Sequence, residues 1–309
     1  MGPALLMNVH SRTIRRNTGL LEKVEATFGE RGPFVTSRSP NELPTLMADL
    51  YRYKPSVLFV YGGDGTLRQT LTHLIATYGK NPLPLIAILR GGTMNTVATS
   101  IGIVDPPLRH LRHLVERIDR GIPLKTVQRN LLEVNHHYGF IFAIGGFARF
   151  IEYYVENKDP TPWYGFKLLT QTTLSALAGG PLSKAIFKEF TVNLWRDSQP
   201  LLQQAGVTNI AAASIRHIGF NFKPFWGAEE PGGGFGLLVF RKIPTRLLFH
   251  LPRFYLGKPV SDPSFLQLPA HDALIHVEHA MRPMLDGDLL NASKEFSIRS
   301  GPTLEWVVG

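Results

Sequence analysis

Val57-Leu58-Phe59-Val60-Tyr61-Gly62-Gly63-Asp64-Gly65-Thr66 joins a β-branched apolar run to a glycine cluster, and apolar residues at helical spacing (Leu67, Leu71, Leu74, Ile75) follow at once. The pattern predicts a strand, a tight loop and the N-terminus of a helix. Glycine at 62, 63 and 65 permits positive φ and lets backbone approach a ligand with no Cβ in the way. The amides that open a helix attract anions, so phosphate is the expected guest. Asp64 puts a carboxylate where phosphate would repel it, which a cation or a proton transfer would justify and a structural loop would not require. A plain strand-to-helix turn is the competing reading.

Upstream, Ala4 to Val9 reads as a short strand leading to Asn8-Val9-His10-Ser11, with Arg12, Arg15 and Arg16 just beyond. A helix is expected from Leu20 to Phe28, a strand from Pro33 to Thr36, and a helix from Asn41 to Tyr53 capped by Ser39 or Asn41. Downstream, Pro84-Leu85-Ile86-Ala87-Ile88-Leu89-Arg90-Gly91-Gly92-Thr93-Met94-Asn95-Thr96-Val97-Ala98 repeats the strand-to-glycine transition. Strands alternating with helices predict a parallel, doubly wound α/β sheet. Such sheets bind ligands at the carboxyl ends of their strands, where both glycine clusters fall. Pro106-Pro107 opens an amphipathic helix that Gly121-Ile122-Pro123 ends, its arginines reading as a solvated face.

From about Thr126 the pattern changes. Leu131 to Asn135, Gly139 to Phe147, Phe190 to Trp195, Ile210 to Ile215 and Phe235 to Lys242 read as strands joined by turns. They predict an antiparallel β-sandwich, interrupted by a helical insertion near Trp163 to Ala178 and a further helix near Thr245 to Leu256. The boundaries that follow are 1–125 for an α/β nucleotide-binding domain and 126–309 for a β-sandwich domain, with the last ~20 residues returning to the first. No internal repeat or low-complexity segment is evident.

The chain has 309 residues, 44% hydrophobic and 18% charged, as expected of a globular enzyme with two domains. It contains no cysteine, which excludes disulfides, thiolate metal sites and a cysteine nucleophile. No apolar run reaches the roughly 18–20 residues that span a bilayer. Met1 to Val9 is too short for a signal-peptide core, and Leu6 stands where a myristoylation motif wants Ser or Thr. A cytoplasmic protein with peripheral membrane association is expected. Net charge is +9, from 33 Lys and Arg against 24 Asp and Glu, which favours anionic partners. No ribonucleoprotein, zinc-finger or helix-turn-helix signature supports nucleic acid. An anionic membrane surface is the expected partner, with Arg246, Leu247, Leu248, Phe249, His250, Arg253, Phe254, Tyr255 and Lys258 interleaving cations with apolar groups on one helix.

The Gly62-Gly63-Asp64-Gly65-Thr66 stretch resembles the signature shared by diacylglycerol kinases, sphingosine and ceramide kinases, NAD kinases and, more distantly, phosphofructokinases. The segment around Gly91 to Ala98 is similar to the lipid-kinase pattern, and the Gly-x-Asn-x-Gly of NAD kinases is absent. The resemblance implies an ATP-dependent lipid kinase using Mg2+. Gly62, Gly63, Gly65 and Thr66 would hold nucleotide phosphates, with Gly92, Thr93, Asn95 and Thr36 completing the pocket. Asp64 would organise magnesium or the reacting hydroxyl. No Walker lysine follows the loop, so positive charge would come from Mg2+ or from Arg90. A lipid substrate, diacylglycerol or sphingoid-like, would enter between the domains.

Met284-Leu285-Asp286-Gly287-Asp288 is by itself a turn signal. The resemblance makes it the counterpart of an Asp-Gly-Glu whose last carboxylate deprotonates the lipid hydroxyl, so Asp288 would be the general base, one methylene shorter. Phe140 to Phe147 keeps the Gly-Phe of a family segment but not its asparagine. Where bacterial lipid kinases carry an aspartate of a structural magnesium site, this chain reads Glu229-Glu230-Pro231-Gly232-Gly233, and no structural metal is expected. His276-Val277-Glu278-His279 has strand spacing, and His136-His137 reads as a turn. Phosphorylation of a soluble acceptor such as NAD, and nucleotide binding without transfer, are the alternatives. The sequence leaves the lipid and the oligomeric state open.

Overall fold

The computed structural model describes residues 2–17, 19–92, 95–156, 161–218, 222–229, 233–241 and 245–309. They fall into two units, Met1–Arg129 with Thr303–Gly309, and Asn130–Pro302. The first contains β1 (Ala4–Asn8), α1 (Arg12–Arg16), α2 (Leu20–Phe28), β2 (Phe34–Ser37), α3 (Leu43–Tyr53), β3 (Val57–Gly62), α4 (Asp64–Tyr78), β4 (Leu85–Arg90), α5 (Thr96–Ser100) and α6 (Pro107–Asp119). Strands pair in the order β2-β1-β3-β4, all parallel. The end of the last strand then lies parallel to β4, pairing Trp306 with Ile86 and Val307 with Ala87. Leu5, Met7, Phe59, Tyr61, Ala87 and Leu89 point to one face, where they pack with Val24 and Phe28 of α2 and Leu111, Leu114 and Val115 of α6. The near-continuous apolar runs of these strands suit a parallel sheet buried on both faces.

Register fixes where the chemistry can be. Met7 pairs with both Thr36 and Tyr61, and Gly62 pairs with Arg90, so the carboxyl ends of all four strands are level. The expected helices and strands of this unit are present, with α3 preceded by a 3-10 turn at Pro40–Glu42 whose Asn41 amide donates to Ser39. Asn41 itself lies in the turn and does not cap.

The second unit begins within β5 (Thr126–Val134). It continues through β6 (His137–Gly139), β7 (Ile141–Gly145), α7 (Gly146–Val155), α8 (Pro162–Leu177), α9 (Pro181–Ile186), β8 (Phe190–Arg196), β9 (Gln199–Val207), β10 (Asn209–Ala213), β11 (Phe235–Phe240), α10 (Thr245–Tyr255), β12 (Phe265–Ala270), β13 (Asp272–Met281), β14 (Met284–Leu285), β15 (Asp288–Leu289) and the first part of β16 (Ser293–Val307). One sheet is built on β16, β13, β8 and β9, with β5 beside β16; the other runs β12-β11-β10-β7-β14-β15, antiparallel throughout. Phe142, Ile144, Ile210, Leu237 and Val239 of the second sheet share a core with Val192, Leu194, Ile275, Phe296 and Ile298 of the first. Alternate residues Ala143, Ala211, Ala213, Leu238 and Phe240 face the other way and pack with Ala148, Ile186 and Phe254 of the helices. The antiparallel sandwich read from the sequence is present, with helices covering one outer face.

Two readings need correction. Gly146 and Phe147 do not end a strand: Gly145, at φ 81°, stops β7, and α7 starts at Gly146. Strands β9, β12 and β13 were not separated in the sequence pattern; the His276 to His279 segment lies in β13, as its spacing indicates. Asn135 and His136, at φ 46° and 67°, form the turn between β5 and β6.

Candidate functional site

The first glycine cluster works through contact between loops. Helix α4 begins at Asp64, with the single residue Gly63 between it and the strand, and Gly63 is its N-cap in extended conformation. None of Gly62, Gly63 or Gly65 has positive φ. The expectation of left-handed backbone is therefore corrected, and crowding is the reason for glycine at 62 and, on the facing loop, at 92. A Cβ on Gly62 would stand 2.5 Å from Thr66 Cβ, and one on Gly92 would stand 2.5 Å from Gly63 Cα. The Gly91 amide donates to the Gly62 carbonyl at 2.8 Å. The two glycine stretches are thus packed backbone to backbone, which no larger residue would allow.

Asp64 ties the same two stretches together. Its carboxylate accepts from the Thr96 amide at 3.0 Å and the Val97 amide at 3.3 Å, capping the first turn of α5. So the aspartate has a structural use that the sequence reading denied it. Burial pushes its carboxyl above the ordinary aspartate value, while the two amides and the Arg90 charge pull it partway back. Arg90 donates to the Val104 carbonyl at 2.7 Å and so is held beside this turn. Asn95, buried and left-handed at φ 48°, accepts from the Gly92 amide and donates to the Gly92 carbonyl, both at 3.0 Å. Its amide side chain locks the second loop, and Asn is among the few side chains that tolerate this backbone.

From β1, Asn8 donates to Thr66 Oγ at 2.8 Å and accepts from the His10 amide. That bond settles the Thr66 hydroxyl. Thr13, in α1, donates to the Gly91 carbonyl at 3.0 Å and lies 3.2 Å from the Tyr61 hydroxyl. Neither Asn8 nor Thr13 is assigned to the site from sequence, although Asn8 lies in the Asn8 to Ser11 segment read at the end of the first strand. Gly63, Asp64, Gly65 and Thr66 remain half-buried between fully buried neighbours, so solvent reaches the opening of α4. The first amides of this 15-residue helix have no intrahelical acceptor, which makes the spot suited to an anion. Thr36, half-buried, is the next-to-last residue of β2 and lies level with Tyr61, just before the glycine loop. Thr93 lies outside the described residues.

Asp288 belongs to the second unit. Leu285 pairs with Asp288 across a two-residue turn, Asp286-Gly287, with φ 52° and 88°. Positive φ at both positions is the turn class that matches hairpin twist, and Asp-Gly is its preferred pair. Asp286 was read only as a turn residue, yet its carboxylate accepts from the Phe140 and Ile141 amides at 2.8–3.1 Å and so pins the start of β7. Asp288 is half-buried in the short strand β15. Glu229, at φ 64°, accepts from the Arg216 amide at 3.1 Å, while Glu230 lies outside the described residues. Among the described residues no group of three or more His, Asp or Glu side chains stands together to hold a metal ion.

Residues 3–127 match the family model of the diacylglycerol kinase catalytic domain. The resemblance carried by the two glycine stretches is thereby borne out for the first unit, a kinase-family domain. No curated protein matches the chain significantly. Among solved structures, a diacylglycerol kinase from Bacillus anthracis str. Sterne is similar at TM-score 0.67, and two structures from the same strain, provisionally described as diacylglycerol kinases, at 0.71 and 0.73. Each is 12% identical and covers 100% of this chain and 97% of its own. At that identity the likeness shows the fold.

Proposed function

We propose that the chain is a lipid kinase that transfers the γ-phosphate of ATP to a lipid hydroxyl. The observation that carries this reading is the pair of glycine stretches, packed on one another at the carboxyl ends of parallel strands beside the opening of α4. Backbone amides and helix dipole there favour phosphate. The kinase-family match over residues 3–127 supports ATP as the donor. Thr66, Thr36, Asn95 and Thr93 are the proposed nucleotide contacts, and Asp288 is the proposed base.

The donor set fits a Mg2+ that arrives on nucleotide phosphates rather than one resident in the protein. Asp64 spends one lone pair on each of two amides, and among the described residues no group of three or more His, Asp or Glu side chains forms a metal site around it. Mg2+ commonly takes one or two carboxylates plus substrate phosphates and waters. Asp64 would hold such an ion through its remaining lone pairs, and the ion would offset charge on the transferred group.

A second reading, nucleotide binding without transfer, draws support from the structural engagement of Asp64 and from Asp288 in place of a longer glutamate. Radiolabelled ATP with a panel of diacylglycerol, sphingoid bases and NAD separates the readings. The expected result is label in a lipid, lowered about 10²–10⁴-fold by Asp288→Asn with ATP affinity nearly unchanged. Label in NAD, or in neither, would reject the lipid-kinase proposal, and normal turnover of Asp288→Asn would reject the base.

A further inference from the structure

Strand β4 is apolar from Leu85 to Leu89 and ends on a cation, Arg90. Side chains alternate along a strand, so Arg90 shares a face with Ile86 and Ile88. Ala87 and Leu89 take the other face and pack against α2 and α6. Arg90 pairs with Gly62 on β3, about 4.7–4.9 Å away across the sheet. The next residue, Gly91, donates its amide to the Gly62 carbonyl. Arg90 therefore stands at the rim of the two glycine stretches, and its charge is felt at Asp64, the first residue of α4. Other cations nearby are placed differently. Lys54 and Lys80 precede β3 and β4, at the opposite ends of those strands, and Arg68 is 7% exposed within α4. Of the Lys and Arg residues from 54 to 108, that leaves the half-buried Arg90 at the carboxyl ends.

The guanidinium is under-used there. It offers five N–H groups and, among the described residues, gives one to the Val104 carbonyl and none to a carboxylate. Its Nε–H is buried with no acceptor. Asp64, the acid that feels its charge, spends its carboxylate on the Thr96 and Val97 amides instead. A tether for the chain between α5 and α6 accounts for the Val104 bond and for nothing else about this cation. A half-buried positive charge without a bonded acid is completed by an anion, and the arginine fork matches two oxygens of one phosphate. The opening of α4 favours the same guest. The stretches 57–66 and 91–98 contain no Lys or Arg, so they offer a phosphate chain dipoles and no full positive charge. Dipoles suit the inner phosphates of a nucleotide. The terminal phosphate, the most highly charged of the chain, is the one that calls for a cation.

We propose that Arg90 is the protein's own cation for the terminal phosphate of the nucleotide, and so selects a triphosphate over a diphosphate. The proposal rests on the reading of this loop pair as a nucleotide site. In the transfer, the acceptor oxygen bonds to the γ-phosphorus as the bond to the β–γ bridging oxygen breaks. The acceptor proton goes to the proposed base Asp288, ADP leaves with the bonding pair, and Arg90 keeps its protons throughout. Full-length wild type, Arg90→Gln and Arg90→Lys are titrated calorimetrically with ATP and with ADP. The wild type is expected to prefer ATP. Arg90→Gln should weaken ATP by about tenfold or more, as loss of one charge-assisted contact implies, and leave ADP unchanged. Arg90→Lys, which retains the charge, should keep most of the preference. The loss in Arg90→Gln should persist in EDTA, where no metal carries the difference. A partly unfolded variant lowers the number of sites and not the ratio of affinities. If Arg90→Gln does not fold at all, phenylglyoxal labelling of the wild type decides: ATP should shield the Arg90 peptide and ADP should not. A wild type with no preference, an unchanged ratio in Arg90→Gln, equal loss of both nucleotides, or labelling of Arg90 indifferent to ATP would overturn the proposal. So would a preference abolished by Arg12→Gln instead, which would assign the cation to α1. A wild type that binds neither nucleotide, with or without Mg2+, defeats the nucleotide reading and Arg90 with it. One that binds both, and keeps its preference in Arg90→Gln, defeats Arg90 alone.

Discussion

At the scale of single residues, the site is held by polar side chains that satisfy backbone, and each can be tested by what it leaves unsatisfied. Asp64→Asn keeps one acceptor but faces an amide hydrogen with its own NH2 group, which should cost about 1–3 kcal/mol. If Asp64 also organises the transfer, turnover should fall well beyond what this loss of stability explains. A folded variant with unchanged turnover would confine Asp64 to the capping role. Its pH dependence has a definite sign. The folded-state carboxyl sits above the ordinary aspartate value, so the folded protein holds that proton more tightly than the unfolded chain. The contribution of Asp64 to stability therefore declines as pH rises from the ordinary aspartate value through the raised one. Urea unfolding across that window should show the gap between wild type and Asp64→Asn narrowing toward higher pH. Gly92→Ala tests the other constraint: its Cβ would meet Gly63 Cα at 2.5 Å, and overpacking of this kind costs about 1–3 kcal/mol. An alanine variant as stable as the wild type in the same unfolding measurement would show that the two loops can part without cost.

At the scale of elements, what was legible in the sequence is what depends on neighbours along the chain. The switch from a β-branched run to helical spacing at Gly62-Gly63 located β3 and α4, and with them most of the proposed pocket. Proline at 107 and glycine at 121 framed α6 in the same way. What escaped depends on distant partners. Asp64 is required by amides 32 and 33 residues away, and Asp286 by amides 145 and 146 residues away. No local pattern marks such acceptors. The start of α7 was hidden because the apolar run of β7 continues into Phe147, Ala148, Phe150 and Ile151, and only the left-handed Gly145 divides the two periods. The Asp286-Gly287 hairpin was legible as a turn but not as a clamp. Asp286→Ala would strand the Phe140 and Ile141 amides, at about 1–3 kcal/mol for each one buried, whereas Asp286→Asn should retain part of that. A calorimetric melt that ranks alanine level with wild type would remove the clamp from the account.

At the scale of the whole molecule, the first unit is not contiguous in sequence, and that has a measurable consequence. Leu304, Trp306 and Val307 are fully buried in it, and the strand that carries them lies on β4. Residues 1–129 alone would expose the edge of β4 and lose the Trp306 side chain from the core, where removal of a buried tryptophan typically costs about 3–5 kcal/mol. With stabilities of domains near 5–15 kcal/mol, that loss is a large share of the total, and an uncovered edge strand invites aggregation. The fragment should therefore express poorly or melt without cooperativity. Its repair follows from the pairing of the two boundary strands. Lys125 exchanges backbone hydrogen bonds with Val308 and Gly309, and Gln128 donates to Glu305, so the chains run antiparallel side by side. A short Asn-Gly turn joining Arg129 directly to Thr303 should close them as a hairpin and restore the missing strand. The fused protein, 1–129 followed by 303–309, should unfold cooperatively in urea and gain stability from ATP with Mg2+, because a ligand that binds only the folded state raises its unfolding free energy. It should show no transfer to lipid, since Asp288 is absent. A fused protein that folds but gains nothing from nucleotide would refute the assignment of the phosphate site to Gly62–Thr66 and its partner loop. One that phosphorylates lipid would refute Asp288 as the base.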